Sequence, residues 1–188
     1  MFFSRLTALF LLSATALVSA HPTDAGVAVA KREYKDIDTV CYNLKSATEE
    51  ILPKIDAIVK KEIVLTVVLF DPLIKELTYA LETAVADLAD LAIEEDETKK
   101  EEIAGILAEI VEEISASLDA ALKKAGILLI PDLILGFAVI DTVLKKVLLG
   151  ADAILGGVLI LVGGLIGGVV GLLKDLAFKL TLGSCGYY

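Results

Sequence analysis

From residue 36 onward the apolar positions recur at three- and four-residue steps, which is the spacing of one face of an α-helix. In the first such segment Ile37, Val40, Cys41, Leu44, Ile51, Leu52, Ile55, Ile58 and Val59 carry the pattern. Ser46 and Glu49 stand at capping-box spacing and predict a helix restart there. Asp71 followed by Pro72 predicts an N-cap with proline at the first helical position, after which Leu73, Ile74, Leu77, Leu81, Val85 and Leu88 share a face. Glu94 to Glu97 make a polar break. Thr98 and Glu101 repeat the capping-box spacing ahead of the clearest amphipathic run, Ile103, Ile106, Leu107, Ile110, Val111, Ile114, Leu118 and Leu122. Glu109, Glu112, Glu113 and Asp119 lie on its other side. Lys123 and Lys124, with Gly126 beyond, suit a helix C-terminus. Pro131 opens a further helix predicted to reach Leu149, and a last one is predicted from near Asp152 toward Lys179, leaving 181–188 as an irregular tail. Only residues 64–69 look like a strand. The expectation is a single-domain, all-α bundle of about five helices, with the glycine-rich hydrophobic C-terminal helix at its centre and the acidic helices around it.

That last helix has an ordered glycine pattern. Gly150, Gly157, Gly164 and Gly171 recur every seven residues, and Gly163, Gly167 and Gly168 add GxxxG pairs with Gly164 and Gly171. On one helix these seven would form a smooth face that lets another backbone approach closely. Each glycine costs about 1 kcal/mol of helix stability relative to alanine, so such a helix depends on packing.

Charge divides the chain in two. Residues 33–124 hold 10 Lys against 22 Asp plus Glu, a net of 10 − 22 = −12, whereas 125–188 hold 4 Lys and 4 Asp and are neutral. The whole chain is 56% hydrophobic, with a formal net charge of −10. Its mean hydropathy is +0.77. Nucleic acid is not an expected partner, since a polyanion is recognised by a basic face.

The N-terminus reads as a leader. Arg5 precedes the apolar run 6–18, and Ala20 ends a small-residue cleavage pattern, so 1–20 is expected to be a signal peptide. Residues 21–32 lack periodicity and end in the dibasic pair Lys31 and Arg32; they read as a short propeptide, cut at that pair, or as a disordered tail. The helical domain is then 33–188, with acidic amphipathic helices over 33–124 and hydrophobic, glycine-rich ones over 125–188.

Beyond residue 32 the chain has no His, Arg, Trp or Met. Nucleophilic sites that need histidine and His-bearing metal sites are therefore excluded there. The carboxylate pairs Glu101–Glu102 and Glu112–Glu113 read as a solvated helix face. No enzyme activity, cofactor or metal is expected.

The charge-free run between Asp152 and Lys174 is long enough to cross a bilayer. Two features argue otherwise. No basic cluster follows it, because Lys174 is balanced at once by Asp175. Cys41 and Cys185, the only two cysteines, are expected to pair as a disulfide in a secreted chain, and a single span would part them. A membrane hairpin of 131–149 and 152–173 keeps both on one side, at a cost of about 2.5–3.5 kcal/mol for Asp141 at mid-depth.

Leader, acidic front half and hydrophobic glycine-rich rear half together resemble, in layout, the small secreted structural proteins of basidiomycete hyphal walls and extracellular matrix. The resemblance implies a role in aerial hypha formation and attachment at hydrophobic surfaces, with self-association or the cell wall as partner. With two cysteines the chain departs from the cysteine-rich hydrophobins. A looser likeness is to helical fungal proteins that adsorb to hydrophobic surfaces and recruit hydrolases. Two other functions stay open on the residues alone: a secreted carrier of lipid or another apolar ligand, and a membrane-inserting or pore-forming protein using the hairpin.

Overall fold

Four long helices carry most of the buried side chains. A computed structural model describes residues 36–61, 67–93, 96–125 and 130–187. The predicted signal peptide 1–20 with Ala20, the segment 21–32 with Lys31 and Arg32, and Gly126 lie outside the described residues. The long helices are α1 (Ile37–Lys61), α2 (Val67–Ala89), α3 (Glu97–Lys124) and α4 (Ile130–Leu155). After them come α5 (Val158–Leu165), a 3-10 turn (Ile166–Val169), α6 (Val170–Asp175) and α7 (Lys179–Ser184). There is no strand among the described residues, and Val67–Leu69 of the strand-like run belong to α2.

The boundaries differ from the sequence expectation for local reasons. α1 does not restart at Ser46; it runs through Pro53, whose ring lies on the exposed side, where water can reach the carbonyl left without a donor. α2 begins before Asp71, which pairs with Lys75 at 2.6 Å instead of capping. The N-cap of α3 is Asp96, whose carboxylate accepts from the amides of Thr98 and Lys99. An aspartate two positions upstream wins over Thr98 because its side chain satisfies two orphan donors at once.

The helices pack as one bundle within the unit Tyr34–Tyr188. α1 packs against α2 and α3, and α4 against α2 and α3, so the four close a ring in the order α1, α2, α4, α3. α5 and α6 lie against α3, and α7 against α4. The centre is α3, with Ile103, Leu107, Ile110, Val111, Ile114 and Leu118 entirely buried. Ala104, Ala108, Ser115, Ser117 and Ala121 are buried on the same helix and let its neighbours come close. The acidic amphipathic helix is thus the core, and the glycine-rich segment is peripheral, which reverses the expected arrangement. The reason is volume: glycines supply no side chain to fill an interior, whereas α3 offers a broad stripe of Ile, Leu and Val.

The glycine-rich segment is also not one helix. α4 continues through Gly150 to Leu155, and the chain then turns through Gly156 (φ 58) and Gly157 (φ 87) before α5 begins. These left-handed conformations suit glycine and interrupt the seven-residue register, so Gly150 falls on α4 and Gly164 and Gly171 on separate segments beyond the turn. Only two of the seven expected positions make close approaches. A Cβ on Gly150 would lie 3.2 Å from Leu88, and one on Gly163 would lie 2.5 Å from the backbone carbonyl oxygen of Cys185. A Cβ on Gly164, Gly168 or Gly171 would meet nothing within 4 Å. Gly163→Ala is therefore expected to destabilise the fold by about 1–3 kcal/mol through overpacking. Its neighbour Gly164→Ala should stabilise by up to about 1 kcal/mol through helix propensity. Urea denaturation of the two variants checks this opposition of sign.

Candidate functional site

Among the described residues, an exposed apolar segment begins after the double-glycine turn. Val158–Asp175 has a mean hydropathy of 2.0 over 18 residues, yet only 28% of it is buried. A helical stretch that is apolar on all sides normally sits inside a protein or a membrane. Here Val158, Val162, Ile166 and Leu173 turn inward, while Ile160 and Leu165 are 80% and 53% exposed among the bare backbones of Gly164, Gly167, Gly168 and Gly171.

Three carboxyl and hydroxyl contacts hold this segment in place. Asp152, read from the sequence as the start of the last helix, is inside α4. Its Oδ1 reaches across the turn to accept from the amides of Gly157 (2.9 Å) and Leu159 (3.1 Å), so it caps α5 from the preceding helix. Asp141 does the same over a longer range. It is only 3% exposed in the middle of α4, and its two oxygens accept from the amides of Leu180 (3.0 Å) and Thr181 (2.8 Å) at the start of α7. The third contact is the Tyr187 hydroxyl, which donates to the carbonyl of Gly163 at 2.7 Å.

Between these anchors the backbone makes two tight reversals. α6 ends with Ala177 in the left-handed region (φ 60), the amide of Phe178 bonding to Leu173 O at 2.8 Å and that of Ala177 to Lys174 O at 3.0 Å. This is a Schellman motif with alanine where glycine is usual, and Phe178 and Leu173 supply its apolar contact, both fully buried. α7 ends in a second one through Gly186 (φ 86), with the Tyr187 amide bonding to Leu182 O at 2.9 Å. The expected irregular tail is a folded strap.

The cysteines correct another expectation. Cys41 on α1 and Cys185 after α7 are both buried free thiols, so the disulfide is not formed. Cys185 is taken up in packing its carbonyl onto Gly163, and Cys41 packs in the core cluster near Asp38. Burial pushes the Cys41 thiol up to about 12 and the Cys185 thiol up to about 11. Both are then protonated and unreactive at neutral pH. Iodoacetamide at mildly alkaline pH should leave both unmodified in the folded protein and alkylate both in urea without reductant; failure to label in urea would mean a disulfide.

On the acidic side, polar pairs tie α1 to α3. The Tyr42 hydroxyl donates to Glu102 at 2.6 Å, Lys45 pairs with Glu109, and Lys99 with Asp38 at 3.3 Å. Glu101, Glu102 and Glu113 face solvent, and Asp119 is buried but paired with Lys123 at 2.6 Å. Two grooves run between helices. One of about 300 Å³ between α1 and α2 has an apolar floor of Val40, Leu44 and Ile51 under Glu50 and Glu76. The other, about 320 Å³ between α2 and α4, is lined by Phe70, Ile74 and Leu133 beside Asp71 and Asp132.

Sequence reasoning found the apolar segment but missed what holds it. On the sequence alone Asp141 reads only as a liability in a membrane hairpin. A lone aspartate in an apolar helix is itself a signal, since a buried charge demands hydrogen-bond donors. Asp141→Asn keeps the shape but turns a donor toward one of the two amides, so it should cost about 2 kcal/mol in urea denaturation. Exposed Asp90→Asn is the control and should lie within about 0.5 kcal/mol of the parent. No known protein family matches the chain, and no characterised protein was found to be similar to it in sequence.

Proposed function

We propose that this is a secreted, non-enzymatic surface-active protein of the cell wall or extracellular matrix, acting at air–water and other hydrophobic interfaces through residues 158–175. The observation that carries the reading is the apolar segment with 28% of its length buried. Its exposed Ile160 and Leu165 and bare glycine backbone offer a surface whose removal from water is favourable, at about 25 cal/mol per Å² of apolar area. The acidic half complements it. A net of −12 over residues 33–124 keeps the molecules apart in solution, while the neutral half is free of that repulsion at a surface.

Insertion as a membrane hairpin fits less well. It would carry Asp141 into hydrocarbon and strip it of the Leu180 and Thr181 amides. The carrier reading has weaker support, because both grooves carry carboxylates at their edges.

Pendant-drop tensiometry tests the proposal. The protein at micromolar concentration should lower surface tension and change the contact angle of water on a coated apolar solid. Ile160→Lys combined with Leu165→Lys should largely abolish both effects while leaving stability within about 1 kcal/mol, since both positions are exposed. Absence of surface activity in the parent protein would sink the proposal. Rapid leakage of dye from lipid vesicles would favour the pore-forming reading instead.

A further inference from the structure

The segment that meets the interface is fastened in an unusual way. Its first residue follows two consecutive left-handed glycines, Gly156 and Gly157, and its end is the left-handed Ala177. Both ends are sharp reversals, at which a helical piece can pivot without unwinding its neighbours. Most of its own surface is apolar, so its attachment to α3 has little directionality. Besides the Asp152 cap at its start, the directional contacts come from the strap 177–187, through the Asp141 carboxylate at one end and the Tyr187 hydroxyl on Gly163 at the other.

The strap also holds an unsatisfied group. Thr181 is entirely buried, and its hydroxyl has no hydrogen-bond partner even though its amide is bonded to Asp141. A buried, unpartnered hydroxyl is a local cost that opening would relieve. Phe178 and Leu182 are buried beside it, so release of the strap would also expose new apolar surface.

From these contacts we infer that the strap 177–187 is a latch: it keeps residues 158–176 folded on the bundle in water and lets go when the protein adsorbs to an apolar surface. The inference rests on the interfacial reading above. In water, opening exposes Val158, Val162, Ile166, Leu173, Phe178 and Leu182, and the latch stays shut. At an apolar surface those same side chains are received by the surface, so the hydrophobic penalty for opening falls. The polar anchors of the strap at Asp141 and Gly163 then resist its release, while the Asp152 cap keeps the start of the segment tied to α4. The α1–α2, α1–α3 and α2–α4 seams are separate from the strap, whose own packing is on α4.

Hydrogen exchange with mass spectrometry on the protein free in buffer and adsorbed on polystyrene beads tests this. Peptides covering 177–187 should exchange at least about tenfold faster on the beads, while peptides of α3 keep their protection. Tyr187→Phe and Asp141→Asn should shorten the lag before surface tension falls. Tyr187→Phe removes one hydroxyl and serves if Asp141→Asn does not fold. Adsorption with unchanged protection over 177–187 would overturn the latch and leave the interfacial reading standing. Loss of protection in α3 as well would overturn it in favour of general surface denaturation. Failure to adsorb at all would overturn both.

Discussion

The placement of the C-terminal third of the chain depends on one buried carboxylate. Asp141 lies 3% exposed in the middle of α4 and meets its partners 39 and 40 residues later. A charge at that depth is tolerable only with donors aimed at it, and the first turn of α7 supplies two backbone amides. The exchange is mutual, since those amides have no partner within so short a helix. Once α7 is fixed to α4, the reversal at Ala177 fixes the end of α6, and Tyr187 reaches Gly163 on α5. The double-glycine turn and the Asp152 cap then set the beginning of the same segment. A chain piece with almost no polar side chains is thereby located by polar groups that lie outside it.

Why so apolar a segment stays at the edge follows from packing. An interior is filled to near-crystalline density by side chains, and glycine brings none. Ile103, Leu107, Ile110 and Ile114 fill the space between the other long helices, and α5 and α6 cover what remains with Val158, Val162, Ile166 and Leu173. The opposite side of the segment finds no further layer. Its exposure is a consequence of composition, and it distinguishes this surface from the scattered exposed leucines of ordinary proteins.

The periodic parts of the fold were legible in the sequence. The apolar positions of α1, α2 and α3 are those the three- and four-residue spacing picks out, and Lys123 and Lys124 do end α3. The caps were less legible, because Asp96, Thr98, Ser46 and Asp71 all satisfy local rules, and Asp96 prevails only through the two amides its carboxylate accepts from. The glycine register misled for a specific reason. It presumes one continuous helix, and the pair Gly156–Gly157 permits a left-handed turn that no pattern of spacing reveals. Pairing of two cysteines by count likewise ignores where the helices carry them. The Asp141 and Tyr187 contacts join residues far apart in sequence, so nothing short of the fold could have matched them, although the isolated aspartate announced that a partner was needed.

The division of charge has a structural counterpart that neither half would have alone. α3 belongs to the acidic half by sequence and forms the core by position, presenting carboxylates such as Glu109 outward and isoleucines inward. It supplies the floor on which the neutral, glycine-rich segment rests. An exposed apolar surface on a neutral protein invites aggregation, because nothing opposes its burial against a second copy. Here the same fold that displays the segment also carries twelve excess negative charges over residues 33–124. Repulsion between like-charged molecules acts over about a Debye length, roughly 8 Å at physiological ionic strength. It weakens association between copies, while an uncharged surface meets no such barrier. The proposed preference for an interface over another copy would thus follow from where the charge is placed, with no need for a specific binding pocket.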